Sequence, residues 1–345
     1  MNASRSASVA RNRALRTDPT RTTGLRARFI RDMDRRWTAL QRDIVTSIVD
    51  RDCFGIQPQM ATLERVLAAN SPTLVRQFGF ERTDQKIASF MAWLESQQVT
   101  GPNGFPILEI IRRPGTRVGI ESAWTDTYIR SGYQQGIRRA RQELRKAGVD
   151  VPTRESVGGG IASIFNQPIH ADAVAMLFTR TFDDLKTVTQ VTNAAVRRQI
   201  SDGLTLNLAQ GIAEGRNPRV IARIMAKDTA HFLDTIGKVR SRTIARTEII
   251  RAHHLATINE YERIVGDIKV EIKAEWTTAG FDVCAICIDM EAGNPYTLAA
   301  VRGLIPAHPN CRCVVLPIID RSSMKDSVGR RRQLEPRTRR LSIAA

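Results

Sequence analysis

Near the start of the chain Phe29, Met33, Trp37, Leu40 and Ile44 recur at three- or four-residue intervals with arginines between them. That spacing predicts a helix with one apolar stripe toward a core and basic residues around the rest of its circumference. A second helix is expected over residues 84–98, with Ile87, Phe90, Met91 and Leu94 on one side, stopped by the turn sequence Gly101-Pro102-Asn103-Gly104. Residues 115–148 predict the clearest helix of this half. Ile120, Trp124, Tyr128, Tyr133, Ile137 and Leu144 share a face, Gly148 reads as a C-cap, and Pro152 follows.

Gly158-Gly159-Gly160 predicts a loop or hinge. Beyond it, Val174, Leu177, Phe178, Leu185, Val188, Val191 and Ala195 predict a helix over residues 173–200, with a break at Gly203 and a short helix through Leu208 and Ile212 ending at Gly215. Asn217-Pro218 has the form of an N-cap followed by proline in the first turn, so a new helix should begin there and carry Ile221 and Ile224 inward. Another long helix is expected from about residue 230 to 264, containing Arg246, Thr247, Glu248 and the pair His253-His254.

The period then changes from helical to two. Ile268, Val270, Ile272, Ala274 and Trp276 alternate with Lys269, Glu271, Lys273 and Glu275, the pattern of a strand with one buried and one wet face. Residues 314–319 read as a second strand of a two- or three-stranded sheet. The expected fold class is mainly α, with long helices in the N-terminal and middle regions and a small α+β C-terminal domain containing a Cys/His element. The expected organisation is a flexible basic arm (1–24), a helical region (25–165), a domain of helices followed by a small sheet (166–320, its knuckle at 276–318), and a basic disordered tail (321–345).

Composition adds a partner class. With 345 residues, 42% of them apolar, the chain has material for a sizeable core. Its 52 Lys+Arg against 35 Asp+Glu give a net charge of +17, which favours nucleic acid through counterion release. Much of the excess lies at the ends: residues 1–52 are arginine-rich without a lysine, and the tail carries Arg330, Arg331, Arg332, Arg337, Arg339 and Arg340. A solvated arm explains such tails as readily as DNA contact does. No apolar run approaches the roughly 18 residues that span a bilayer, and the N-terminus has no apolar signal core, so a cytosolic protein without a membrane partner is expected.

Of five cysteines, Cys53 stands alone, while Cys284-x-x-Cys287 is followed by His308-x-x-Cys311-x-Cys313. Thiolates with one imidazole select Zn2+, and four protein ligands would make the site structural because no position remains for water or substrate. Five candidates for four places leave a choice between Cys311 and Cys313, since residues two apart point the same way only if the backbone stays regular. Two other outcomes compete with metal: the cysteines packing as small apolar side chains, or pairing as disulfides.

The run from Arg246-Thr247-Glu248 through Trp276-Thr277-Thr278 and Cys284-x-x-Cys287 to His308-Pro309-Asn310-Cys311-Arg312-Cys313 resembles the phage Mu F-like minor head protein family. The resemblance covers about the last third of the chain well and the preceding helices more loosely. It implies that residues 166–320 form a minor head domain of a non-enzymatic head-morphogenesis protein. Such a protein sits inside the virion near the portal protein, after assembly in the host cytoplasm. It would contact packaged double-stranded DNA and scaffold or major capsid protein during procapsid assembly and DNA packaging or delivery.

Rival readings are open to the same residues. Arg246 and Glu248 could form an acid/base pair, or a structural ion pair or cap. His253-His254 reads as a surface or packing pair, because adjacent helical residues diverge by about 100°. A zinc-dependent nucleic-acid-processing enzyme of the deaminase type needs His-x-Glu and Pro-Cys-x-x-Cys, and Val283 precedes Cys284 while Pro309 and Asn310 follow His308. A non-sequence-specific DNA-binding protein would use the arms, since only Arg302 and Arg312 lie within the knuckle region.

Overall fold

The computed structural model describes residues 18–56, 83–100, 106–112, 121–151, 167–207, 214, 216–268, 270–279 and 283–319. Most of the basic arm, the turn at Gly101–Gly104, Ile120, the three glycines at 158–160, the short helix through Leu208 and Ile212, and the tail from 321 lie outside these residues. The fold is mainly α-helical with a small C-terminal sheet region. The chain divides into two compact units, one of Ala27–Asp126 and Thr179–Ala245, the other of Met1–Arg26, Thr127–Phe178 and Arg246–Ala345.

In the first unit, α1 (Thr23–Val45) buries Phe29, Met33, Trp37, Leu40 and Ile44, the stripe that the periodicity predicts. The Trp37 indole donates to Ser241 Oγ at 2.9 Å, so its polar atom is satisfied in the core. Its ring packs so close to Gly237 that a Cβ there would lie 2.6 Å from it. α2 (Thr83–Val99) buries Ile87, Phe90, Met91 and Leu94. Gln98 exchanges amide hydrogen bonds of 2.6 and 3.1 Å with Asn193, so these buried polar groups are paired. α4 (Pro168–Asp202) runs into a π-helical turn, Gly203–Asn207, where a break is expected.

α5 (Pro218–Phe232) starts where Asn217-Pro218 predicts, with the Asn217 side chain accepting from the Arg219 N–H. Ile221 is buried and Ile224 half-buried. A π-helical turn, Leu233–Lys238, then joins α5 directly to α6 (Val239–Ile268), so the expected start near residue 230 is interior to a continuous run.

Two elements revise the helix expected over residues 115–148. Glu121–Ala123 is a strand, β2, paired antiparallel with β1 (Ile110–Arg112), and α3 begins only at Asp126 and ends at Lys146. The C-terminus of α3 follows the prediction. Gly148 has φ +93, its N–H bonds the Arg145 carbonyl, and the Val149 N–H bonds the Leu144 carbonyl. With Leu144 and Val149 both buried, this is the Schellman arrangement, in which a left-handed residue closes the last turn and an apolar contact covers it.

In the second unit, α3 crosses α6 closely enough that a Cβ on Gly136 would meet the His253 carbonyl oxygen at 2.3 Å. From Ala252 to Tyr261 α6 is buried almost all round. Polar residues inside it therefore need partners. Tyr133 donates to His170 Nδ1 at 2.9 Å while accepting from Asn259 at 2.8 Å, and Glu260 receives Arg141 at 2.6 Å and Arg263 at 2.8 Å. Although burial opposes ionisation of Glu260, its hydrogen bonds and the Arg141 charge hold its pKa down to about 2.

The sheet has the order β4–β3–β5, all antiparallel, from Tyr296–Thr297, Ile272–Thr277 and Val314–Ile319. β5 has the expected bounds. β3 is shorter than expected because Ile268 still belongs to α6. Trp276, opposite Val315, is fully buried in a core shared with Ile258, Tyr261 and Ile264 of α6, Ala140 and Leu144 of α3, and Cys287, Cys311 and Cys313.

Two predictions follow from this packing. Gly136→Ala should destabilise the protein by about 2 kcal/mol or more through overpacking against backbone, read as a shift of the urea midpoint; an unchanged midpoint would show that the helices do not approach so closely. Burial also lowers the pKa values of His253 and His254, to about 4 and about 3. The unfolded chain, titrating near 6.5, then takes up protons first, so the stability present above pH 6.5 falls as pH drops toward 4. For both histidines the loss between pH 7 and 5 is on the order of 3 kcal/mol. Glu260 adds a further loss only below about pH 4.5. Urea midpoints measured against pH with a chelator present throughout would check this, and stability that is flat between pH 7 and 5 would contradict it.

Candidate metal centre

The first ligand pair sits on α7 (Ala285–Ala292). Cys284 is its N-cap residue, with extended φ −72 and ψ 157 and no capping bond from the sulfur, and Cys287 lies in the first turn. A three-residue step at a helix start brings both sulfurs to one side, and the partial positive charge of the unpaired N–H groups there favours thiolate. The second pair sits just before β5. Cys311 and Cys313 are both buried and Arg312 between them is exposed, so the backbone stays extended and the two thiols share a side.

His308 lies between the two pairs. Its Nδ1 is 2.8 Å from the Pro309 carbonyl, which places the proton on Nδ1 and leaves the Nε2 lone pair for a metal. Nε2 is 3.3 Å from Cys284 Sγ and 3.1 Å from Cys287 Sγ, and Cys287 Sγ is 4.0 Å from Cys311 Sγ. A tetrahedral zinc with Zn–S of about 2.3 Å and Zn–N of about 2.0 Å requires ligand–ligand edges of roughly 3.5–3.8 Å. The observed distances straddle that range. Two triads, Cys284/Cys287/His308 and Cys287/Cys311/Cys313, are positioned to hold a metal ion and share Cys287.

All five cysteines of the chain are free thiols, so disulfide pairing is not the arrangement here. Within the buried group, burial pushes Cys287 up to about 12, while a hydrogen bond from Cys313 draws Cys311 down to about 5 and drives Cys313 upward. Cys311 and Cys313 enter the second triad together, so each is placed to supply a sulfur beside Cys284, Cys287 and His308. The donor set fits zinc.

The other residues of the sequence motif surround this group. Thr247 Oγ1 accepts from the Asn310 N–H at 3.2 Å and Arg246 donates to Asn310 Oδ1 at 3.4 Å. Asn310 has φ +65, a left-handed turn residue, and the Cys311 N–H closes that turn on the His308 carbonyl at 3.1 Å. Arg246 and Thr247 therefore hold the loop that carries two ligands. Glu248 is buried and paired with Arg251 at 3.1 Å. His253 and His254 are both buried and lie in the packing of α6 rather than among the ligands. Trp276 forms the floor, and its backbone N–H and carbonyl are both taken by the Asn294 side-chain amide, at 2.6 and 2.8 Å. Asn294, and Glu291, which accepts from Thr278 at 3.2 Å, have no counterpart in the sequence reading. Nothing in the spacing distinguishes them from ordinary loop residues.

No family model, curated protein or solved structure matches the chain.

Zinc affinity, measured by chelator competition on the full chain, should fall at least a hundredfold for Cys287→Ser, which removes the sulfur shared by both triads, and much less for Cys313→Ser, which leaves Cys311 beside it. Thr247→Val, which removes the acceptor for Asn310, should weaken binding about tenfold, the low end for an outer hydrogen bond because this one is exposed. Thr247→Ser should restore it. Equal losses for the two cysteine variants would overturn the ligand assignment.

Proposed function

We propose that this chain is a non-catalytic assembly protein, with a C-terminal knuckle stapled by structural zinc and a nucleic-acid partner bound without sequence preference. Its biological setting, on the resemblance of the knuckle motif, is head morphogenesis in a tailed phage, where it acts near the portal protein during procapsid assembly and packaging or delivery of double-stranded DNA. The observation that carries the reading is the gathering of Cys284, Cys287 and His308 in one triad and of Cys287, Cys311 and Cys313 in a second that shares Cys287. Four soft protein ligands fill a tetrahedral zinc and leave no coordination position for a water nucleophile. Zinc there would join α7 to the start of β5, and its chemistry would be that of a cross-link.

The residues nearest to general acid/base chemistry are committed elsewhere. Glu248 is held by Arg251, and Thr247 and Arg246 hold Asn310. The charge of +17 supports a polyanionic partner. Among the described residues no helix is long and apolar enough to cross a membrane. A second reading, a DNA-binding protein with no role in a virion, rests on the same charge and the same Cys/His cluster. A third, a zinc-dependent nucleic-acid-processing enzyme, needs an open zinc position.

Two measurements separate these readings. Purified protein incubated with labelled DNA and divalent metal should give no turnover; reproducible cleavage or deamination abolished by Glu248→Gln would establish the enzyme. Deleting the gene from a phage that encodes it should yield heads defective in assembly or packaging, with the protein otherwise located near the portal vertex. Normal, infectious heads from the deletion would leave the stand-alone DNA-binding reading.

A further inference from the structure

The face of α1 opposite its core stripe has no part in the metal centre. At 100° per residue, Arg28, Arg31, Arg35 and Arg42 fall within about 60° of arc, on the side away from Phe29, Met33, Trp37, Leu40 and Ile44. All four arginines are exposed. Asp32, Asp34 and Asp43 fall outside that arc. Arg35 meets Asp32 at 3.8 Å while its own side chain stays 61% exposed, so its guanidinium remains open to solvent. The stripe is about 21 Å long at 1.5 Å per residue, and it lies wholly within one compact unit.

We infer that this stripe is a docking surface for the phosphodiester backbone of duplex DNA. The inference rests on the nucleic-acid clause of the proposed function and names where that contact is made. Three features select the occupant. The stripe is uniformly cationic, so it complements a polyanion. Its cations are guanidinium groups, in a stretch of 52 residues without a lysine, and a planar fork matches phosphate oxygens two at a time. Thr38 and Ala39, which flank this arc between Arg35 and Arg42, are half-buried, so the exposed groups of the face are the guanidinium forks, and contact through them to phosphates is sequence-independent. The buried stripe beneath already fixes the backbone. Binding therefore orders only side chains, whereas a flexible basic arm would also lose backbone entropy.

The test uses the full chain and labelled duplex DNA titrated over a range of salt, comparing wild type with Arg28→Gln/Arg31→Gln/Arg35→Gln/Arg42→Gln. A control removes the same charge from exposed positions elsewhere, Arg197→Gln/Arg198→Gln/Arg219→Gln/Arg223→Gln. The slope of log affinity against log salt should fall by about 0.9 per engaged arginine in the stripe variant. Its affinity near 0.1 M salt should drop about tenfold or more, with the thermal midpoint kept and the control changed much less. Equal losses in the two variants would show that binding follows net charge alone and would overturn the surface. Wild-type protein that fails to bind duplex DNA would overturn both the surface and the nucleic-acid clause, whereas wild-type binding with an unaltered stripe variant would overturn the surface alone.

Discussion

Cys287, Cys311 and Cys313 are buried in the same apolar core as Trp276 and Tyr261, and that placement governs the C-terminal region. A thiolate removed from water is costly unless something compensates its charge, and the three sulfurs are too close to ionise independently. The fold answers by gathering Cys287, Cys311 and Cys313 in one triad and by directing the His308 Nε2 lone pair at Cys284 and Cys287. A metal ion held there would compensate the charge of the thiolates that bind it. Sheet, α7 and ligand loop then close over a single floor. Without it, the same sulfurs are poorly compensated inside an otherwise well-packed core.

The ligand loop is in turn tied to the long helix. Asn310 takes a left-handed conformation, and both of its polar handles, the backbone N–H and the side-chain oxygen, go to consecutive residues of α6. This gives the Arg246-Thr247 pair a physical task. It sets the loop on which His308 and Cys311 sit, so the metal position and α6 are mechanically connected. Glu248, the next residue, faces the protein interior and is neutralised by Arg251 one turn on.

What the sequence made legible follows from where a single local rule governs. The Phe29-to-Ile44 stripe, the Asn217-Pro218 start, the Gly148 stop and the whole of β5 each depend on short-range pattern, and each stands as read. The π-helical turns were invisible because an i→i+5 bond has no residue signature, so Gly203 looked like a break and residue 230 like a beginning. α6 showed little periodicity because its middle is buried on every side. There the sequence leaves His253-His254 open to either a surface or a packing role, and nothing in it marks Asn259 and Glu260 as buried. In the metal centre, spacing supplied all five Cys/His candidates but not their ranking. The structure groups them as two triads that share Cys287, with Arg312 exposed between two buried thiols. Asn294, which completes the Trp276 backbone from a loop eighteen residues away, had no local signal at all.

X-ray absorption at the zinc edge of the full-length, zinc-loaded protein tests the central claim most directly. The account predicts one bound zinc with three sulfur neighbours near 2.3 Å and one nitrogen near 2.0–2.1 Å. A shell dominated by oxygen or by four sulfurs, or protein that retains no zinc at all, would contradict it.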